Sequence, residues 1–179
     1  MANTIVLNSF LYLTAWYFLV HSVAEGFAWE GELVALIVVA VHLYRTEYRF
    51  SELTLILFSM LAGFVIESAL VYCDIVAYAS PNKVFPHLAP LWLTGLYAVF
   101  TTTINYSLAR FGVSFMTAAI FGFAGSIISY YAGYRLGAAE FLMTNAGSLL
   151  VIGSVWFFFL PLLYKVNKEI IHFRESHVH

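Results

Sequence analysis

Residues 53–73 read LTLILFSMLAGFVIESALVYC. A run this long and apolar has the length of a membrane-crossing helix, which needs about 20 predominantly apolar residues. Glu67 interrupts it. A carboxylate facing lipid would cost several kcal/mol, so Glu67 is expected to point into a helix bundle and to need partners there. Ser59, Gly63 and Glu67 recur every four residues and share one helix face, with Asp74 near the same line at the end of the run.

Composition extends this reading to the whole chain. Of 179 residues, 62% are hydrophobic and 10% charged, against about 45–50% and about 25% in soluble domains. The mean hydropathy is +0.86. Such a chain cannot hide its apolar surface from water, so it is read as an integral membrane protein. The aromatic share of 18% fits belts at the membrane interface, and a net charge of −2 gives no basic footprint for nucleic acid. Cys73 is the single cysteine, which leaves no internal disulfide and no cysteine cluster for zinc or iron–sulfur.

Six apolar runs are expected to form an all-α transmembrane bundle in one domain: residues 4–24, 28–44, 53–73, 88–109, 112–134 and 146–165. The first run is read as a retained helix and not a signal peptide, because no Lys or Arg precedes it. Connections are short apart from residues 74–89, DIVAYASPNKVFPHLA, which should be ordered but irregular. The sequence displays no clear internal repeat. Six spans place Arg45, Arg49, Arg110, Lys165, Lys168 and Arg174 on one side and only Lys83 and Arg135 on the other, which predicts cytoplasmic termini.

Depth decides which polar groups can meet. Glu67 lies about 21 Å along its helix at about 1.5 Å per residue, in the outer half of the bilayer. At that level the first helix brings His21 and Glu25, the fourth Trp92, Thr94 and Tyr97, and the fifth Ser126, Ser129, Tyr130, Tyr134 and Arg135. These groups predict one polar site, with Glu67 bonded to tyrosine or to Arg135. The plainer reading is a structural pin that holds the bundle together.

The fifth run also carries Ala118, Gly122, Ser126, Tyr130, Gly133 and Gly137 at spacings of three and four. Gly122, Ser126, Gly133 and Gly137 are expected to let a neighbouring helix approach closely, or to widen a cavity beside Tyr130. Toward the cytoplasm, Asn105 is expected to bond Asn8, while Thr101, Thr102 and Thr103 can bond their own helix carbonyls.

Several chemistries lack their signatures. No HExxH, histidine box, GxSxG or phosphate-binding glycine loop occurs. No cofactor or metal is therefore expected. His21, His42 and His87 read as interfacial residues, and His172, His177 and His179 as a solvated tail.

Two stretches carry a resemblance: APLWLTGLYAVFTTTINYSL at 89–108 and FGFAGSIISYYAGYRLGAAEF at 121–141. They resemble a family of small inner-membrane proteins of Gram-negative bacteria defined as a domain of unknown function. The resemblance implies a six-helix architecture in the bacterial inner membrane, an acidic position at Glu67 followed by Ser68, and a setting close to lipid modification.

Together these readings favour a lipid- or fatty-acyl-handling protein, with Arg135 holding an anionic head beside Glu67, Tyr97 and Tyr130. Membrane lipids and a small amphipathic ligand are the expected partners. A proton-coupled transporter using Glu67, an acid–base enzyme acting on a lipid-soluble substrate, and a structural or assembly partner are the alternatives.

Overall fold

The helix that opens the sequence reading begins at Arg49 and runs to Tyr72. The computed structural model describes residues 2–177, with the side chains of residues 4–176. The side chain of His177 and all of His179 lie outside the described residues. In chain order the elements are α1 (Ala2–Ala24), α2 (Ala28–Arg45), α3 (Arg49–Tyr72), β1 (Val76–Tyr78), α4 (Trp92–Thr101), a 3-10 turn (Ala109–Val113), α5 (Phe115–Arg135), β2 (Ala139–Phe141) and α6 (Asn145–His177).

The fold is an all-helical bundle, and four of its helices, α1, α3, α5 and α6, are long and apolar enough to cross a membrane. Large apolar side chains cover the outside, among them Val6, Leu61 and Ile128 at 67–70% exposure. In water such a surface would drive association; in a bilayer it faces lipid tails. Of the remaining two, α2 matches the short run expected of it, and α4 is far shorter than the sequence implied. α2 has 18 residues and α4 has 10, or about 27 Å and about 15 Å of helix.

The fourth apolar run therefore does not remain helical to residue 109. It leaves the α-helix after Thr101, and residues 102–108 turn irregularly before the 3-10 turn. Three successive threonines sit at the break, and their hydroxyls bond the carbonyls of Tyr97, Val99 and Phe100 at 2.7, 2.7 and 2.5 Å. Such bonds compete with the regular backbone ladder. Irregular backbone at membrane depth survives only where its polar groups are met by protein or water. Here Asn8 donates to the Thr102 carbonyl at 3.0 Å and accepts from the Ser107 hydroxyl at 2.7 Å, while the Tyr164 hydroxyl donates to the Leu108 carbonyl at 2.7 Å.

α3 and α5 end in the same kind of backbone turn. The amides of Cys73, Asp74 and Ile75 bond the carbonyls of Ala69, Val71 and Leu70 to close α3; those of Leu136, Gly137 and Ala138 bond Ala132, Tyr134 and Gly133 to close α5 in the same pattern. Both turns carry a left-handed residue, Asp74 at φ 54° and Gly137 at φ 85°. Asp and Gly are among the residues that tolerate that conformation. β1 and β2 then pair antiparallel, Val76 opposite Phe141, Ala77 opposite Glu140 and Tyr78 opposite Ala139. The flanking bonds run from the Ala79 amide to the Ala138 carbonyl and from the Leu142 amide to the Ile75 carbonyl. α3–β1 and α5–β2 thus share one kind of helix-to-strand turn, and Glu67 and Tyr130 stand at the same distance before it.

Two glycines set the helix spacing. A Cβ on Gly31 would fall 2.6 Å from the Cα of Leu19, so α2 can lie against α1 only without a side chain there. A Cβ on Gly122 would fall 2.4 Å from the Trp156 carbonyl oxygen, which fixes α5 against α6. Gly125, three residues on, has open space around it. Gly122→Ala should therefore cost about 1–3 kcal/mol through overpacking and lower the thermal midpoint in detergent by several degrees, whereas Gly125→Ala should leave it unchanged or raise it. Thermal unfolding followed by circular dichroism on the two purified variants checks the contrast.

Candidate functional site

Glu67 is fully buried, and its carboxylate gathers three tyrosines from three elements. Tyr97 on α4 donates to Oε1 at 2.6 Å. Tyr130 on α5 donates to the same oxygen, and Tyr78 on β1 donates to Oε2. Trp156 on α6 stands behind them, its Nε1 3.5 Å from the Tyr130 hydroxyl and its ring stacked on Tyr97 with centroids 5.6 Å apart.

Local structure explains each arrival. Gly63, one turn before Glu67, leaves the slot that the Tyr97 ring fills; a Cβ there would lie 2.4 Å from the ring. The left-handed turn at Asp74 folds β1 back over the end of α3, which returns Tyr78 to Glu67 from 11 residues away. Trp92 holds this return in place, with Nε1 donating to the Ala79 carbonyl at 3.1 Å and its ring edge-on to Tyr78 at 6.0 Å. Ser68, beside Glu67, accepts the Ala89 amide at 3.1 Å and ties down the connection to α4. Burial first, and then the Glu67 charge, holds the Tyr78 hydroxyl well above the usual tyrosine value, so this residue remains a donor.

The site opens into space. A cavity of about 80 Å³ lies beside Glu67, walled by Trp16, Trp92, Tyr97, Tyr130, Gly133 and Trp156 among others. A second cavity of about 270 Å³ adjoins it and shares Tyr12, Phe100, Ser129, Tyr130 and Trp156 with it. It runs between α1 and α5 toward Thr103, Ser107 and Leu108, past the break in α4. Leu13, 59% exposed, belongs to its wall. One polar bond crosses between these helices, from Trp16 Nε1 to Ser129 Oγ at 3.0 Å. Among the described residues, no Lys, Arg or His lines either cavity.

The other candidates lie elsewhere. Arg135 does not meet Glu67: it is exposed at the end of α5, with Nη1 3.5 Å from the Tyr131 hydroxyl. Asp74 is exposed in its turn. His21 and Glu25 reach the expected end of the bundle but are exposed, His21 on the outer side of α1, where it stacks on Tyr17 at 5.4 Å, and Glu25 in the turn that follows. The inward face of α1 presents Tyr12 and Trp16 instead. Within the small-residue stripe, Gly122 meets α6 closely, and the buried Ser126 hydroxyl bonds the Phe123 carbonyl at 3.0 Å. Gly133 meets nothing within 4 Å and lines the cavity, while Gly137 occupies the left-handed turn.

A second polar cluster, absent from the sequence reading, sits at the opposite end. Glu52, 3% exposed in the first turn of α3, lies 3.1 Å from His42 Nε2 and accepts from Asn105 at 3.0 Å. Asn105 also exchanges bonds with Asn167, at 3.1 and 2.6 Å. Asn105 therefore joins α3 and α6 and does not bond Asn8, because the break in α4 redirects it. His42 is a buried partner of Glu52 and not an interfacial side chain. Among the described residues, no three His, Cys, Asp or Glu gather as a metal site.

Glu67, its three tyrosines and both cavities fall within residues 5–162, which match the family model described as protein of unknown function (DUF2878). The chain belongs to that family. No curated protein and no solved structure matches it. The donor arrangement ranks three variants. Tyr78 is the only tyrosine on Oε2, whereas Tyr97 and Tyr130 share Oε1. Leaving a buried acceptor without its donor costs about 1–3 kcal/mol, so Tyr78→Phe should lower the thermal midpoint more than Tyr97→Phe or Tyr130→Phe, as measured by unfolding of the three proteins in one detergent.

Proposed function

We propose that this member of the DUF2878 family is an integral membrane protein that holds an amphipathic molecule, its apolar chain in the groove between α1 and α5 and its polar head at Glu67. The observation that carries the reading is a buried carboxylate at the inner end of an apolar groove. A carboxylate that only pinned helices together would be stabilised by close packing, since empty space beside a buried charge forfeits contacts. Here aromatic walls stand around an open volume, the form that binding sites for small molecules take. The groove wall is mainly apolar, with Leu13, Phe121 and Leu160 among its residues beside Ser9, Thr103 and Ser107, and so suits an alkyl chain.

The Lys and Arg distribution supports placing the β1–β2 end outward, and the family resemblance supports the bacterial inner membrane. The head recognised differs from the one the sequence implied. Arg135 does not line the cavity, so among the described residues no basic side chain on its walls would balance an anion.

Gly133 and Gly125 offer a direct test, because each lines a cavity and a Cβ added there meets nothing within 4 Å. Gly133→Leu and Gly125→Leu should fill the groove and leave folding intact. Native mass spectrometry of protein extracted in mild detergent should show a retained amphiphile on wild type and a loss of at least about tenfold in that bound species on either variant, equivalent to about 1.4 kcal/mol. An unchanged bound population with the groove filled would exclude this reading.

A further inference from the structure

The charge at the inner end of the groove has no counterpart. Glu67 receives three hydroxyl donors, all neutral, and among the described residues no basic side chain lines the cavity around it. Neutral donors satisfy the lone pairs of a carboxylate without balancing its charge, and an isolated charge in an apolar interior is costly. The walls are suited to a cation. Trp16, Trp92 and Trp156, with Tyr12 and Phe100, surround the space beside the carboxylate. Aromatic rings attract ammonium groups through their quadrupoles, most strongly where water is excluded, and tryptophan is the best of them.

We infer that the site is specific for a positively charged head: the cavity beside Glu67 takes the ammonium group of an amphipathic amine or quaternary ammonium compound. This inference rests on the groove reading above and specifies its ligand class. The same geometry disfavours a zwitterionic phospholipid. Its phosphate, a few atoms from the ammonium, would enter a cavity whose walls supply no base and already hold one negative charge. An anionic head is disfavoured more strongly for the same reason. The cation that enters balances the carboxylate, and the three tyrosines keep it oriented.

Three of the chain's four tryptophans line the cavity, so intrinsic fluorescence reports its occupancy. Wild-type protein in nanodiscs of phosphatidylglycerol and phosphatidylethanolamine would be titrated with three probes of equal chain length: dodecyltrimethylammonium, dodecanol and dodecyl sulfate. Empty nanodiscs, and discs carrying Gly133→Leu, serve as references for simple partitioning. The expected result is a saturable change with dodecyltrimethylammonium at a concentration about tenfold or more below that of the other two. Glu67→Gln should abolish that preference, and Glu67→Asp, which keeps the charge, should restore most of it. The comparison of the three heads on wild type needs no variant, so it decides the matter even if Glu67→Gln fails to fold. Equal binding of all three probes to wild type, lost in Gly133→Leu, would overturn the cationic head and leave the groove reading standing. Absence of saturable binding by any probe, or wild-type binding by Gly133→Leu, would overturn both. A preference for the ammonium probe that is erased by enriching the discs in phosphatidylethanolamine would assign the site to that lipid and overturn the exclusion of phospholipid.

Discussion

The bonding of Glu67 by Tyr78, Tyr97 and Tyr130 is the constraint on which the rest of the structure turns. One carboxylate ties together α3, α4, α5 and the return strand β1, while Trp156 adds α6 through Tyr130 and Tyr97. Elsewhere in this part of the bundle, apolar contacts predominate: Val20, Leu70, Val76, Trp92 and Ile152 form one cluster. Helices in lipid gain little from hydrophobic burial against one another, so directed polar bonds and close packing set their arrangement. Glu67 supplies the first, and Gly31, Gly63 and Gly122 supply the second by removing the side chains that would keep backbone or ring apart.

This constraint sits where two helices with the same closing turn converge. Glu67 and Tyr130 occupy equivalent positions in α3 and α5, and they bond each other. The symmetric pairing of β1 with β2 holds the two helix ends together, so that the equivalent faces converge. α3 carries the acceptor and α5 the donor; where α3 has Leu70, α5 has Gly133, which lines the cavity. A symmetric pair of carboxylates would repel, and a symmetric pair of tyrosines would carry no charge to balance.

Much of the bundle was legible in sequence because its signals are periodic. The long apolar runs gave the all-helical class, and the four-residue spacing of Ser59, Gly63 and Glu67 gave the inward face of α3. Depth along the helices brought Tyr97 and Tyr130 to the level of Glu67. Depth alone could not tell the two sides of α1 apart, so His21 and Glu25 were placed at the site where Tyr12 and Trp16 stand. Tyr78 was hidden because it follows a left-handed turn whose reversal is tertiary. The break after Thr101 was hidden because threonine bonds to helix carbonyls in intact helices too. Glu52 read as an ordinary polar flank, since nothing local in the sequence announces that His42 and Asn105 will surround it.

The claim that Glu67 ends an occupied groove is tested most directly by photo-crosslinking in membranes. A dodecyl ammonium probe with a diazirine on its chain would be irradiated with the full protein, and the adducts mapped by peptide mass spectrometry. Adducts concentrated on the facing segments 9–16 of α1 and 121–130 of α5, and suppressed by Gly133→Leu, are the result expected. Adducts spread over the lipid-facing surface, at positions such as Leu36, Leu61 and Phe158, and unaffected by that substitution, would contradict the account.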